Sequence, residues 1–201
     1  MDEATLIRAL VAACCATIEE HSGELTKLDQ AIGDGDHGLN MSRGFKAITA
    51  EADALAAMSL GDALKKAGMT LVMKVGGASG PLYGSLLMDM GKAASTAPAN
   101  EADVAQLLRA GIDAVKKRGK SDVGAKTMLD VLVPVAETVA EGGNVDAIRA
   151  RADEALEATR DMLATKGRAA FLGERSIGHI DPGARSSALL IHAVCNVLEA
   201  S

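Results

Sequence analysis

Two phenylalanines, one tyrosine and no tryptophan in 201 residues leave this chain little choice of core. With 48% hydrophobic residues and only 1% aromatics, the interior has to be filled by Ala, Leu, Val, Ile and Met. Side chains of that size, with Ala abundant, favour helices packed close together over sheets. The length supplies one domain with a sizeable core. The expected fold is therefore all-α: a single domain over residues 1–201, built as an antiparallel bundle of about eight helices joined by short turns. In such a bundle the functional loops gather at one end.

The hydrophobic pattern places the helices. Leu6, Leu10, Cys14 and Ile18 recur four apart, which marks an amphipathic helix over 4–21. A short helix from Glu24 delivers Asp29 to a loop, and further helices are expected over 39–55, 61–73 and 81–94. Asp62 favours the positive start of the third of these, and Ser79 or Gly80 caps the fourth. Residues 95–99 read as a loop. Asn100 caps a helix that ends at Lys116-Lys117-Arg118, and Asn144 caps another that runs to about Thr165. Between them, 126–141 is helical, with Pro134 as an expected kink. The last helix is expected over 182–199.

The net charge of −6 argues against nucleic acid as a partner. No run of 18 apolar residues marks a membrane span. Met1-Asp2-Glu3 lacks a signal-peptide pattern. Cys14, Cys15 and Cys195 form an odd, unspaced set and read as small buried residues in a reducing cytoplasm.

The densest chemistry lies in Leu28-Asp29-Gln30-Ala31-Ile32-Gly33-Asp34-Gly35-Asp36-His37-Gly38-Leu39-Asn40. Three aspartates fall within eight positions, and no lysine or arginine lies between Lys27 and Arg43. Crowded carboxylates repel unless a cation joins them. A hard dication such as Mg²⁺ or Ca²⁺, which takes oxygen ligands, is the simplest one. The interleaved glycines permit sharp turns and free backbone N–H groups, which beside a metal suit a phosphate. An EF-hand is excluded by spacing: counted from Asp34, the fifth position is Gly38 and the twelfth Phe45.

Three further stretches carry polar groups. Val75-Gly76-Gly77-Ala78-Ser79-Gly80-Pro81-Leu82-Tyr83-Gly84 lacks the Lys-Ser/Thr of a Walker A loop and the spacing of a Rossmann fingerprint. It reads equally as a tight helix connection or as a phosphate-binding helix start. Arg118 to Met128 is a basic loop whose cations face either a helix C-terminus or a phosphate, and whose Met128 belongs to the core or to a purine face. Lys166 to Gly183 is the longest stretch without helical pattern and reads as a lid; Arg168 or Arg175 is placed to fork a phosphate. Asp181-Pro182 then opens the last helix as cap and first residue. Of the histidines, His192 reads as structural, His179 as a lid contact, and His37 as a nucleotide or outer-sphere contact, because Mg²⁺ prefers oxygen.

Leu28–Gly44, Val75–Gly84, Gly124–Asp130 and Gly173–Ala184 together resemble the L subunit of dihydroxyacetone kinase, and the resemblance runs over the full chain. It implies an eight-helix antiparallel barrel with ADP or ATP and two Mg²⁺ ions at one end. By similarity, Asp29, Asp34 and Asp36 are the metal ligands. The nucleotide site would be lined by His37, Gly38, Leu39, Asn40, Ala78, Ser79, Gly119, Thr127, Met128, Arg168, Asp181, Pro182 and Gly183, with no catalytic residue of its own. The resemblance also implies a cytoplasmic phosphotransferase. In it, a phosphohistidine-bearing M subunit recharges retained ADP, and the phosphoryl group passes to dihydroxyacetone on a K subunit. Neither a membrane nor nucleic acid takes part, and a homodimer is left open. Two departures stand out: Ala125 replaces a common Asp before Lys-Thr-Met, and Leu39 replaces a smaller residue. Other readings are an ATP-dependent kinase subunit for another short ketose such as erythrulose, an ADP-loaded partner of a transcription regulator, or a structural Mg²⁺-binding module without nucleotide.

Overall fold

A computed structural model describes residues 1–94 and 98–200, and the described residues are helical with no strand. Among the described residues ten α-helices follow one another: α1 (Glu3–Glu20), α2 (Ser22–Ile32), α3 (His37–Thr49), α4 (Ala52–Ala56), α5 (Leu60–Lys74), α6 (Ser79–Ala93), α7 (Glu101–Gly119), α8 (Leu129–Ala140), α9 (Val145–Ala158) and α10 (Pro182–Glu199). Short 3-10 turns at Thr159–Asp161 and Arg168–Ser176 lie between the last two. Eight of the helices close a ring through successive contacts: α1 to α3, α3 to α5, then α6, α7, α8, α9 and α10, which returns to α1. Helix α2 bridges α3 and α10 at one end, and α4 is a single short turn against α1. The all-α, single-barrel expectation is met; the two helices beyond eight are these additions to the ring.

The core follows from the composition. Ile18, Leu25, Met41, Leu55, Leu71 and Leu129 are fully or almost fully buried, and Phe45 and Tyr83 are the buried aromatics. Small residues let backbones touch. A Cβ on Gly68 would sit 2.7 Å from the Gly84 carbonyl, and one on Gly84 would sit 2.8 Å from the Gly68 carbonyl. That reciprocal contact explains why α5 and α6 form the most extensive helix pair. Cys15 and Cys195 are buried free thiols and Cys14 is half-buried, as small core residues.

The caps read from sequence hold. Asn100 accepts from the Asp103 N–H at 3.0 Å, Asn144 from Ala147 at 2.9 Å and Asp181 from Ala184 at 2.7 Å. Other boundaries differ for tertiary reasons. The helix expected over 39–55 breaks at Ala50-Glu51 and begins earlier, at His37. Ser79 is the first residue of α6 rather than its cap, and its hydroxyl bonds His37 instead. Helix α8 begins at Leu129, not 126, because the Asp130 carboxylate draws the Gly124 and Thr127 N–H groups into a turn at 2.5 and 2.6 Å. It then runs unbroken through Pro134. Helix α9 stops at Ala158, where the Thr159 hydroxyl donates to the Leu156 carbonyl and accepts the Asp181 N–H. Of the loop expected over 95–99, residues 95–97 lie outside the described residues.

Candidate functional site

The aspartate stretch spans the end of α2, a turn and the start of α3. Asp29 sits in the last turn of α2, buried to 8% exposure. Its Oδ2 accepts the N–H groups of Asp36 at 2.9 Å and His37 at 3.1 Å. Asp29 thereby satisfies orphan donors at the start of α3, a task an N-cap side chain normally performs. The Asp36 side chain, at the N-cap position, makes no capping bond. Ligand oxygens of Asp29, Asp34 and Asp36 lie within 4.8 Å of one another. A Cβ at position 33 would collide with Asp29 Oδ1, so glycine there keeps the remaining Asp29 oxygen open. Three carboxylates brought this close together offer the oxygen ligands that a hard dication takes.

The chain supplies one counter-charge from far away. Arg168 Nη2 lies 2.8 Å from Asp34 Oδ2, with both side chains in contact with solvent. No cation is available to the triad from the neighbouring sequence, and the segment between α9 and α10 provides this one.

A cavity opens beside the triad. Around it stand the first residues of three helices: Asp36 and His37 of α3, Ala78 and Ser79 of α6, and Asp181, Pro182 and Gly183 of α10. Helix N-termini present unpaired N–H groups and partial positive charge, which favours an anion. Thr127, Met128 and Arg168 also line the cavity, as do Tyr83 and Lys126. Met128 is both core and cavity wall.

Four residues of the expected nucleotide set do not line this cavity. Gly38 lies in the α2–α3 contact, where a Cβ would strike the Ser22 carbonyl and the backbone of Thr26. Leu39 is 62% exposed on α3. Asn40 is buried with its amide against Gly76. Gly119 ends α7, next to Leu82, which is itself a lining residue. In the segment expected to form a lid, Phe171 is 89% exposed, Ile177 and His179 are exposed, and Ile180 is buried. His192 Nε2 pairs with Asp153 at 2.9 Å, tying α10 to α9 at the surface.

His37 is buried with both ring nitrogens engaged: Nδ1 meets the Ser79 hydroxyl and Nε2 the Ser186 hydroxyl, each at 2.9 Å. Burial lowers its pKa, against the opposing pull of Asp29 and Asp36. Neither nitrogen is left for a metal. The network continues from Ser186 to the Tyr83 hydroxyl at 2.7 Å and on to Ser187 at 2.8 Å. Burial pushes the Tyr83 phenol up to about 12, so it stays protonated. The sequence signal for Tyr83 was slight: a lone tyrosine in an apolar helix.

Asp181 is buried, and desolvation pushes its carboxyl up to about 7. The native state therefore holds that proton more tightly than the unfolded chain does. The stabilisation is fully present below the ordinary carboxylate range and is lost as pH rises through about 7. Asp181→Asn keeps the cap oxygen without the charge. In nucleotide-free protein, thermal melts are expected to show the variant gaining on the parent between pH 4 and 8, by a few degrees at the upper end. A melting-temperature difference that does not change with pH would refute this.

Fold and site together define a class: an α-helical barrel with an acidic, glycine-turned cavity at one end, chemically suited to a dication and a phosphate. The DAK2 domain family matches residues 31–196, and the chain belongs to that family. It is 48% identical over 177 residues to the PEP-dependent dihydroxyacetone kinase 1, ADP-binding subunit DhaL, of Listeria innocua, covering 88% of each chain. It is 43% identical over 185 residues to the corresponding ADP-binding subunit of Escherichia coli, covering 86% of this chain and 87% of that one. A crystal structure of the dihydroxyacetone kinase of C. freundii in complex with AMP-PNP and Mg²⁺ superimposes with a TM-score of 0.79 at 25% identity. That match covers 96% of this chain and 34% of the kinase, so this chain corresponds to about a third of that protein.

Proposed function

We propose that this chain is the ADP-binding, phosphoryl-carrying subunit of a dihydroxyacetone kinase. The observation that carries the reading is one cavity in which a three-carboxylate cluster faces the N-termini of α3, α6 and α10. Asp29, Asp34 and Asp36 would hold magnesium, two ions in our reading, which supplies charge neutralisation to the phosphates when bound. The helix N-termini and Arg168 bind and orient the phosphate oxygens. Met128 offers an apolar wall to the base, and the Lys166–Ala169 segment covers the site from water. Phosphoryl transfer depends on positioning and electrostatics more than on a protein nucleophile. That fits side chains already engaged: His37 by two serines, Tyr83 as a buried phenol. Donor and acceptor chemistry belongs to partner subunits, a phosphohistidine carrier that recharges ADP and a K subunit that presents dihydroxyacetone. Among the described residues, no helix is long and apolar enough to cross a membrane.

Native mass spectrometry of gently purified protein is expected to show bound adenine nucleotide and magnesium. Adding K and M subunits with phosphoenolpyruvate and dihydroxyacetone is expected to yield dihydroxyacetone phosphate. Protein that neither carries nor takes up ADP in the presence of Mg²⁺ would end this reading. Turnover with free ATP, or with erythrulose alone, would redirect it to another donor or ketose.

The Arg168–Asp34 pair gives a second test. It is solvent-exposed, so it holds Asp34 back from a metal by no more than ~1 kcal/mol. Arg168→Ala is expected to tighten Mg²⁺ binding to nucleotide-free protein up to about fivefold. It is expected to weaken ADP binding by about tenfold or more, the worth of a charge-assisted contact to phosphate. Titration calorimetry reads both, and a change of the same sign in the two would contradict the exchange of partners.

A further inference from the structure

Lys126 takes no direct part in that reading, yet its long charged side chain is almost wholly buried, at 1% exposure. Its ammonium lies beyond ion-pair range of any carboxylate among the described residues. Instead it donates to three backbone carbonyls: Ser176 at 2.6 Å, Met162 at 3.1 Å and Arg160 at 3.3 Å. An ammonium has three donors and no acceptor, so the three oxygens satisfy it fully. Desolvation lowers its pKa, while the more distant Asp181 and Asp161 act the other way.

The three carbonyls come from both ends of one segment. Arg160 and Met162 belong to the strand of chain leaving α9, and Ser176 to the strand returning towards α10. Between them lies the stretch that carries Arg168 over to Asp34. Neighbouring bonds close the same base: Thr165 N–H to the Ala125 carbonyl at 3.2 Å, Gly178 N–H to the Arg160 carbonyl at 2.8 Å, and Ala164 N–H to the Ser176 hydroxyl at 3.0 Å. Lys126 adopts φ +62°, a left-handed conformation in which glycine is the comfortable residue. The cost of that backbone conformation is set against the three hydrogen bonds its side chain makes.

We propose that Lys126 is a positioning residue, a built-in cation that clasps the two stems, at 160–162 and 176, of the segment carrying Arg168 and so sets where Arg168 meets the phosphate ligand. It occupies a carbonyl cage of the kind that elsewhere holds a monovalent ion. The proposal rests on the ADP-binding reading for its consequence, though not for the clasp itself.

The test uses Lys126→Gly, which relieves the backbone strain and removes only the side chain, with Lys126→Met as an apolar isostere should the glycine variant fail to fold. In nucleotide-free protein, hydrogen exchange at the Ala164, Thr165 and Gly178 amides is expected to speed up about tenfold or more, while α1, α5 and α7 keep their protection. With Mg²⁺ present, release of a fluorescent ADP analogue is expected to speed up by a similar factor. n-Butylammonium, which matches the missing stem and donors, is expected to restore both in Lys126→Gly; tetramethylammonium, which has no N–H, is not. Parental exchange at the three amides, loss of protection across the whole barrel, or equal rescue by both ions would each overturn the clasp. A parent chain that binds no ADP analogue would instead overturn the functional reading, and the exchange comparison would still decide the role of Lys126.

Discussion

Replacing Asp34 and Asp36 together by asparagine is expected to abolish Mg²⁺-dependent retention of ADP and to leave the helical barrel intact. The two substitutions keep the shape of the side chains and together remove two of the three charges that converge within 4.8 Å. Asp29 alone, with Oδ2 already committed to two backbone N–H groups, offers a dication one free oxygen, too little to compete with its hydration shell. The loss in affinity for magnesium-bound nucleotide is expected to reach about a thousandfold, roughly the effect of removing two charged ligands at ~2 kcal/mol each. Stability moves little or upwards, because like charges have been removed from an exposed turn and no core contact is touched. Gel filtration followed by mass spectrometry reads retention, and circular dichroism reads the fold. A double variant that emerged still carrying ADP would show that the triad is not the metal site.

Gly38→Ala is expected to lower the melting temperature by roughly 6–12 °C, the equivalent of about 3 kcal/mol for a chain of this size. The new Cβ would meet the Ser22 carbonyl and sit 2.8 Å from the Thr26 backbone nitrogen. Backbone cannot swing aside as a side chain can, so α2 and α3 must move apart. Asp29 rides on α2, and Asp36 heads α3. The same change therefore spreads the triad and weakens Mg²⁺-dependent ADP binding beyond what the stability loss accounts for. The neighbouring Leu39→Ala, at a position 62% exposed, is the control and is expected to shift the melting temperature by no more than about 2 °C. Equal effects at 38 and 39 would show that the α2–α3 contact does not hold the site together.

These two positions also show where a reading of the chain succeeds and where it stops. The asparagine and aspartate caps at 100, 144 and 181 were legible because a capping bond spans only three residues, so the sequence holds both partners. The aspartate cluster was legible for the same reason: its repulsion is local and asks for a cation. Gly38 reads from the sequence as part of a ligand loop; the structure adds that its small size answers to α2, whose backbone it touches. Leu39 and Asn40 follow it in sequence but face solvent and Gly76, since a helix turns consecutive residues about 100° apart. The start of α8 shifted because Asp130 captures two N–H groups, a preference that helical periodicity does not carry.

What the amino-acid sequence determined by itself was the all-helical core, through the lack of large flat side chains, and the acidic turn, through charges packed too densely to stand alone. What only the tertiary structure decided was which distant groups answer those charges and line the cavity: Arg168 at Asp34, Lys126 on the Arg160, Met162 and Ser176 carbonyls, Ser79 and Ser186 on His37. The physical reason is range. Propensity, capping and like-charge repulsion act over a few bonds, whereas a counter-ion or a buried hydroxyl is selected by whichever segment the closed ring of helices brings within about 3 Å.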